Sequence, residues 1–115
     1  MKFTHQSSPT FAAILVVVLS LAFVSAHAQT APNDGATIYK AKCAMCHGPD
    51  AAGKTSVGQK LNVRDLQSPE VQNQADAYLA HVIAQGKGKM PVFGKTLSDD
   101  QIKSLVAQIR ELGKK

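Results

Sequence analysis

The chemistry-bearing residues of this 115-residue chain stand close together, in Cys43-Ala44-Met45-Cys46-His47. On a helical turn the positions i, i+3 and i+4 share a face, so two thiols and an imidazole point at the same object. C-x-x-C-H is the spacing of a c-type haem attachment site, where the sulfurs become thioethers to the porphyrin and the imidazole binds the iron. Other uses fit less well. A zinc site needs about four N or S ligands, and outside the motif there is no further cysteine and only His5, His27 and His81. A thioredoxin-type dithiol belongs in a βαβ context, and no strand pattern surrounds Cys43. A plain disulfide leaves the adjacent His47 unexplained.

A haem iron held by His47 has a second axial position, with Met45, Met90 and His81 as candidates. Met45 lies between the cysteines and points away from the face they share. Met90 sits in Gly86-Lys87-Gly88-Lys89-Met90-Pro91, where glycines allow close backbone approach and proline stiffens the loop. A lone methionine is commonly a core gap-filler, but this one is flanked by a lysine and a proline and lies off any apolar stripe. His81 stands beside Val82 on a helical pattern, which suits packing or a surface position.

Several elements must position these groups. A helix capped by Asn33 or Asp34 is expected to deliver the motif at its C-terminal end, with Gly48-Pro49 as its stop. The glycines and small polar residues from His47 to Leu61 predict an irregular loop, long enough to need a role such as wrapping a haem edge. Ser68-Pro69-Glu70 is a helix start for one or two turns. Leu79, Val82 and Ile83 make one stripe of a helix from about Ala75, ended by Gly86. Ser98 and Gln101 form a capping box, Leu97 and Ile102 a hydrophobic staple, and Ile102, Leu105, Val106, Ile109 and Leu112 a continuous apolar face. The expected fold class is all-α, with three main helices and one short one.

Residues 1–28 read as a secretory signal peptide: basic Lys2, an apolar run over residues 11–24 and Ala26-His27-Ala28 as cleavage site. The run is shorter than the roughly 20 residues that span a bilayer, so no membrane span is expected after cleavage. A short flexible leader is expected over 29–34, then one domain over 35–115. A domain this small usually needs a staple, and a covalently held haem would supply one. The net charge of +5, from 13 Lys and Arg against 8 Asp and Glu, is a modest excess. No long basic run with interleaved aromatics points to nucleic acid; steering toward acidic partners and a merely solvated surface both remain open.

Taken together, the export signal, Gly35 and Tyr39 before C-x-x-C-H, the helical body, G-K-M-P near residue 90 and the capped last helix resemble a bacterial class I c-type cytochrome of the short mono-haem kind. The resemblance covers Gly35 to Leu112. It implies a cytochrome c fold around one haem c, with Cys43 and Cys46 as thioether positions, His47 as proximal and Met90 as distal iron ligand, and Gly35 and Tyr39 packed on the last helix. It also implies a monomeric periplasmic electron carrier with redox protein partners. A subunit of a periplasmic dehydrogenase or oxidase is the alternative, and a gas-binding or peroxidatic haem protein a further one. Haem contacts are expected from Leu61, Leu79, Val82, Ile83 and Val92. Lys87, Lys89 and Lys95 suit a docking ring or a solvated surface, and Arg64 a haem propionate or a salt bridge with Asp65 or a neighbour. Two departures from the family pattern are Gln108, where an aromatic is common, and the lack of a proline between Pro49 and Pro69 whose carbonyl would take the proximal imidazole proton. Another carbonyl can serve, since that bond needs only an acceptor.

Overall fold

The structure, a computed structural model, describes residues 33–115. The signal peptide expected over 1–28 and most of the expected leader lie outside them. The described residues form helices α1 (Gly35–Lys42), α2 (Ala44–His47), α3 (Ser56–Leu61), α4 (Pro69–Gln72), α5 (Asp76–Gln85) and α6 (Asp99–Leu112), with no strand among them.

Of the two candidate caps for α1, Asp34 takes the position. Its carboxylate accepts from the N–H of Ala36 and Thr37 at 3.3 and 3.1 Å and from the Thr37 hydroxyl at 2.6 Å. The expected single helix through the motif is instead two, because the backbone at Cys43 opens to φ −114° while staying in the right-handed region. The Cys43 carbonyl still accepts from the N–H of His47 at 2.9 Å, so α2 continues the turn. Gly48, at φ +84°, ends it as the sequence suggests.

Helix α3 replaces part of the loop expected between His47 and Leu61. Ser56 and Gly58 have poor helix propensity, and a helix this short is not stable from local terms. It is held from outside. Thr55 accepts from the Gly58 N–H at 2.9 Å and turns its hydroxyl back toward the carbonyls of Met45 and Cys46 at 2.9 and 3.0 Å. A Cβ at Gly58 would overlap the Cys46 carbonyl, so glycine is what lets α3 lie against α2.

Helix α6 is the spine, packing against both α1 and α5. Both halves of its capping box form: Ser98 Oγ accepts from the Gln101 N–H at 3.2 Å, and Gln101 Oε1 from the Ser98 N–H at 2.9 Å. Gly35 of α1 meets the Ser104 carbonyl and Gln108 so closely that a Cβ would overlap the oxygen. Ile38, Tyr39, Leu79, Ile83, Leu105 and Ile109 belong to one buried cluster.

A second tie was not visible in the sequence. Arg110 of α6 donates to Asp76 Oδ1 through Nε and Nη2, at 3.0 and 2.7 Å, and to the Gln72 carbonyl at 2.7 Å. Gln72 in turn donates to the carbonyls of Leu66 and Ile109 at 2.6 and 3.2 Å. The end of α6 is thereby bonded to the turn between α4 and α5.

Candidate functional site

The described residues frame an apolar cavity bounded by α1, α2, α5, α6 and the loop after α5. Tyr39, Cys43 and His47 line one part, Leu79, Val82 and Ile83 of α5 another, and Leu105 and Ile109 of α6 a third. Met90 enters the same cavity from the loop. Three of the four sequence-predicted site residues are thus brought together. Cys46 is half-buried on α2 and does not line the cavity.

Local structure explains each position. Tyr39 donates its phenol hydrogen to the Gly48 carbonyl at 2.9 Å, inside the protein, and burial pushes that phenol's pKa up. Burial also pushes the Cys43 thiol up to about 11, against a smaller opposing pull from the Lys42 charge. His47 is shifted down by burial, which favours the neutral, metal-binding imidazole. The Arg64 backbone pulls the other way, raising it. Nδ1 itself is buried and completes no hydrogen bond of regular geometry.

The loop that carries Met90 folds back on α5. Gly86 leaves the helix at φ +73°, and a Cβ there would press on the Met90 carbonyl. The Met90 N–H donates to the Lys87 carbonyl at 3.0 Å, and the N–H groups of Phe93 and Gly94 donate to the carbonyls of Ile83 and Ala84 at 3.2 and 3.0 Å. Met90 is half-buried and packs on the core cluster.

Other expected positions resolve differently. Met45 is 72% exposed, as its place between the cysteines suggests. His81 is exposed on α5 and lines no part of the cavity. Leu79, Val82 and Ile83 do line it, but Leu61 does not, because it closes α3, and Val92 is 47% exposed on the loop. Arg64 pairs at 3.3 Å with Glu70, not Asp65, in an exposed contact worth about 0–1 kcal/mol. Lys87 turns onto α5, donating to the Tyr78 hydroxyl at 2.8 Å, while Lys89 and Lys95 are exposed. Sequence reasoning missed Tyr39, Leu105 and Ile109 as cavity walls; their apolar spacing announced burial but not what they face.

A haem fits this donor set. The cavity wall is almost wholly apolar, the C-x-x-C-H turn forms one side, and a thioether and an imidazole reach the same space. Cys43 and Cys46 can hold the porphyrin, and His47 and Met90 its iron. No helix among the described residues is long and apolar enough to cross a membrane.

Comparison with known proteins agrees. Residues 30–109 match the family described as Cytochrome C oxidase, cbb3-type, subunit III. The cbb3-type cytochrome c oxidase subunit CcoP of Azospirillum brasilense is 37% identical over 98 residues, covering 84% of this chain and 33% of that protein. The chain therefore spans about a third of the length of that relative. Cytochrome c6 of Leptolyngbya boryana is 32% identical over 81 residues, covering 70% of this chain and 92% of that protein. A solved structure, the KustC0563 c-type cytochrome, superposes with a TM-score of 0.64 at 30% identity, covering 69% of this chain and 96% of its own. This chain belongs to the c-type cytochrome family, in the group of the cbb3-type subunit III domain, with the family's cytochrome c fold and its covalently bound haem c and iron.

Proposed function

We propose that this protein is a periplasmic mono-haem electron carrier in which Cys43 and Cys46 form the thioethers, His47 is the proximal and Met90 the distal iron ligand. The single observation that carries the reading is that Cys43, His47 and Met90 line one apolar cavity. The bound haem supplies the one-electron Fe(III)/Fe(II) couple. With His47 and Met90 holding it, the iron would have no position left for a substrate, which would restrict the site to electron transfer. A thioether ligand together with His raises the potential, and the apolar walls from α5 and α6 exclude water, which disfavours the extra charge of the oxidised centre.

An optical spectrum of the matured protein, oxidised and reduced, tests this. A weak near-infrared band of the oxidised form that disappears in Met90→Ala is the expected result. Attached haem without the band, together with ready carbon monoxide binding, would falsify it and favour the gas-binding or peroxidatic alternative.

Export follows from the cleavage site at Ala28: the mature protein is expected to begin at Gln29, which N-terminal sequencing of the periplasmic fraction checks. Lys89 and Lys95 stand exposed beside Met90 and suit an acidic redox partner. Raising ionic strength slows transfer if they dock; an unchanged rate removes them from the interface.

A second reading has its own support, the match to oxidase-subunit relatives. It keeps the chemistry and replaces the soluble partner by a stable complex. Size-exclusion of native periplasmic and detergent extracts separates the two: elution at the size of a small protein favours the free carrier, co-elution with a large oxidase the subunit.

A further inference from the structure

Beside the haem cavity lies a second, more open space that shares Leu66, Val71, Leu79 and Val82 with it. The two differ in chemistry. Where the first space is almost wholly apolar, the second is rimmed by Arg64, Glu70, Gln74, Tyr78 and Lys87. Two cations thus face one carboxylate, and Arg64 already engages that carboxylate, Glu70, at 3.3 Å.

Lys87 is the unusual member of this rim, because it is anchored in three directions. Its ammonium donates to the Tyr78 hydroxyl of α5 at 2.8 Å and lies 5.5 Å from the centre of the same ring. Its carbonyl accepts from the Met90 N–H at 3.0 Å. Its side chain lines the rim of the second space. Lys89, two residues on, carries the same charge and lines neither space.

A haem is a flat apolar ring with two carboxylates on one edge, so a cavity with an apolar interior and a cationic rim matches its amphipathic shape. Carboxylates take charge-assisted hydrogen bonds from ammonium groups and phenols. Tyr78 accepts from Lys87, which leaves the phenol's own hydrogen free to donate. The neighbouring Lys87, by that hydrogen bond first and its charge second, shifts the phenol's pKa down and makes it a better donor.

We propose that Lys87 is a positioning residue that tethers the Met90 loop to the haem: its ammonium and the Tyr78 hydroxyl take a haem carboxylate at the cavity rim, and its backbone bond to Met90 transmits that hold to the distal ligand. This rests on the assignment of Met90 as distal ligand. It goes beyond it by coupling the anchoring of the haem edge to closure of the loop, through one residue three positions before the methionine.

The test compares the matured Lys87→Gln, Lys89→Gln and Lys87→Arg proteins with the wild type. The readouts are reduction potential at low ionic strength, the near-infrared sulfur band, and the rate of carbon monoxide binding to the reduced form. Lys87→Gln should shift the redox equilibrium toward the oxidised form by about three- to tenfold, which is about 30–60 mV for one electron. It should also speed carbon monoxide binding several-fold. Lys89→Gln should shift the potential much less, and Lys87→Arg should stay near the wild type. If Lys87→Gln and Lys89→Gln agree in potential and in carbon monoxide rate, the lysine is only surface charge and the tether is overturned while the Met90 assignment stands. If the wild type itself lacks the band, the Met90 assignment fails and the tether with it.

Discussion

Tyr39 and Gly48 are nine positions apart in the chain and joined by one hydrogen bond, 2.9 Å from the phenol oxygen to the carbonyl. The bond spans the whole C-x-x-C-H turn, linking the helix before Cys43 to the residue just after His47. Replacing Tyr39 with Phe keeps the ring in the core and leaves the Gly48 carbonyl with only the Ala51 N–H, at 3.1 Å, a loss of about 0.5–1.5 kcal/mol. Denaturant unfolding of the holoprotein should show a lower midpoint at an unchanged slope.

The contact between α2 and α3 makes a sharper comparison. A Cβ at Gly58 would overlap the Cys46 and Gly53 carbonyls, whereas a Cβ at Gly88 meets nothing within 4 Å. Gly58→Ala should cost about 3 kcal/mol or more by overpacking against backbone and lower the yield of haem-loaded protein. Gly88→Ala should cost only the backbone strain of its φ of +59°, about 1–2 kcal/mol. Equal stabilities for the two variants would remove the packing account of Gly58.

Arg110 is mostly covered while Asp76 is exposed, at 23% and 74% of their side chains. The stabilising part of their contact should therefore lie in the Arg110 bonds to backbone carbonyls, not in the ion pair. Arg110→Met leaves those acceptors without a donor and should cost about 2–3 kcal/mol; Asp76→Asn should cost at most about 1 kcal/mol. Thermal unfolding of the two variants gives the ordering, and 0.5 M salt should barely change the Arg110 effect.

Asp34 supplies a pH-dependent contribution. Its carboxylate is held below its ordinary value of 3.8, first by the Thr37 hydroxyl and then by the N–H groups of Thr37 and Ala36. A depressed folded pKa means that the unfolded chain takes up the proton more readily, so this stabilisation is complete above 3.8 and is lost as pH falls through the lower folded value. Asp34→Ala should be less stable than wild type at pH 7, and the difference should shrink as the pH is lowered below 3.8, as followed by unfolding at several pH values.

Local signals made much of this molecule legible. The capping box at Ser98 and Gln101, the stop at Gly48 and the exposed Met45 all depend on residues within a few positions of each other, and the structure has them as expected. The C-x-x-C-H spacing and the glycine-flanked Met90 pointed to one site because each carries its chemistry in a short segment. What stayed hidden depends on distant partners. Helix α3 has weak propensity and exists because Thr55 and Gly58 meet the carbonyls of α2. The break at Cys43 is a one-residue change in backbone angle that no side chain announces. Arg64 finds Glu70 and not its neighbour Asp65, and Arg110 finds Asp76 on another helix; neither partner can be chosen without the fold. Leu61 and Val92 are expected at the haem from their spacing in the chain, and spacing does not say which way a side chain faces.

The return of the loop along the end of α5 has a dynamic consequence. Only two backbone bonds, from Phe93 to Ile83 and from Gly94 to Ala84, fasten that strand of chain to the helix, whereas α6 is tied to both α1 and α5. Segments with few fastenings open first, so the Met90 side of the cavity is hinged like a latch on a rigid frame. The Met90 loop can then open without disturbing the crossing of α1 and α6, and the amides of Phe93 and Gly94 should exchange with solvent well before those of α6.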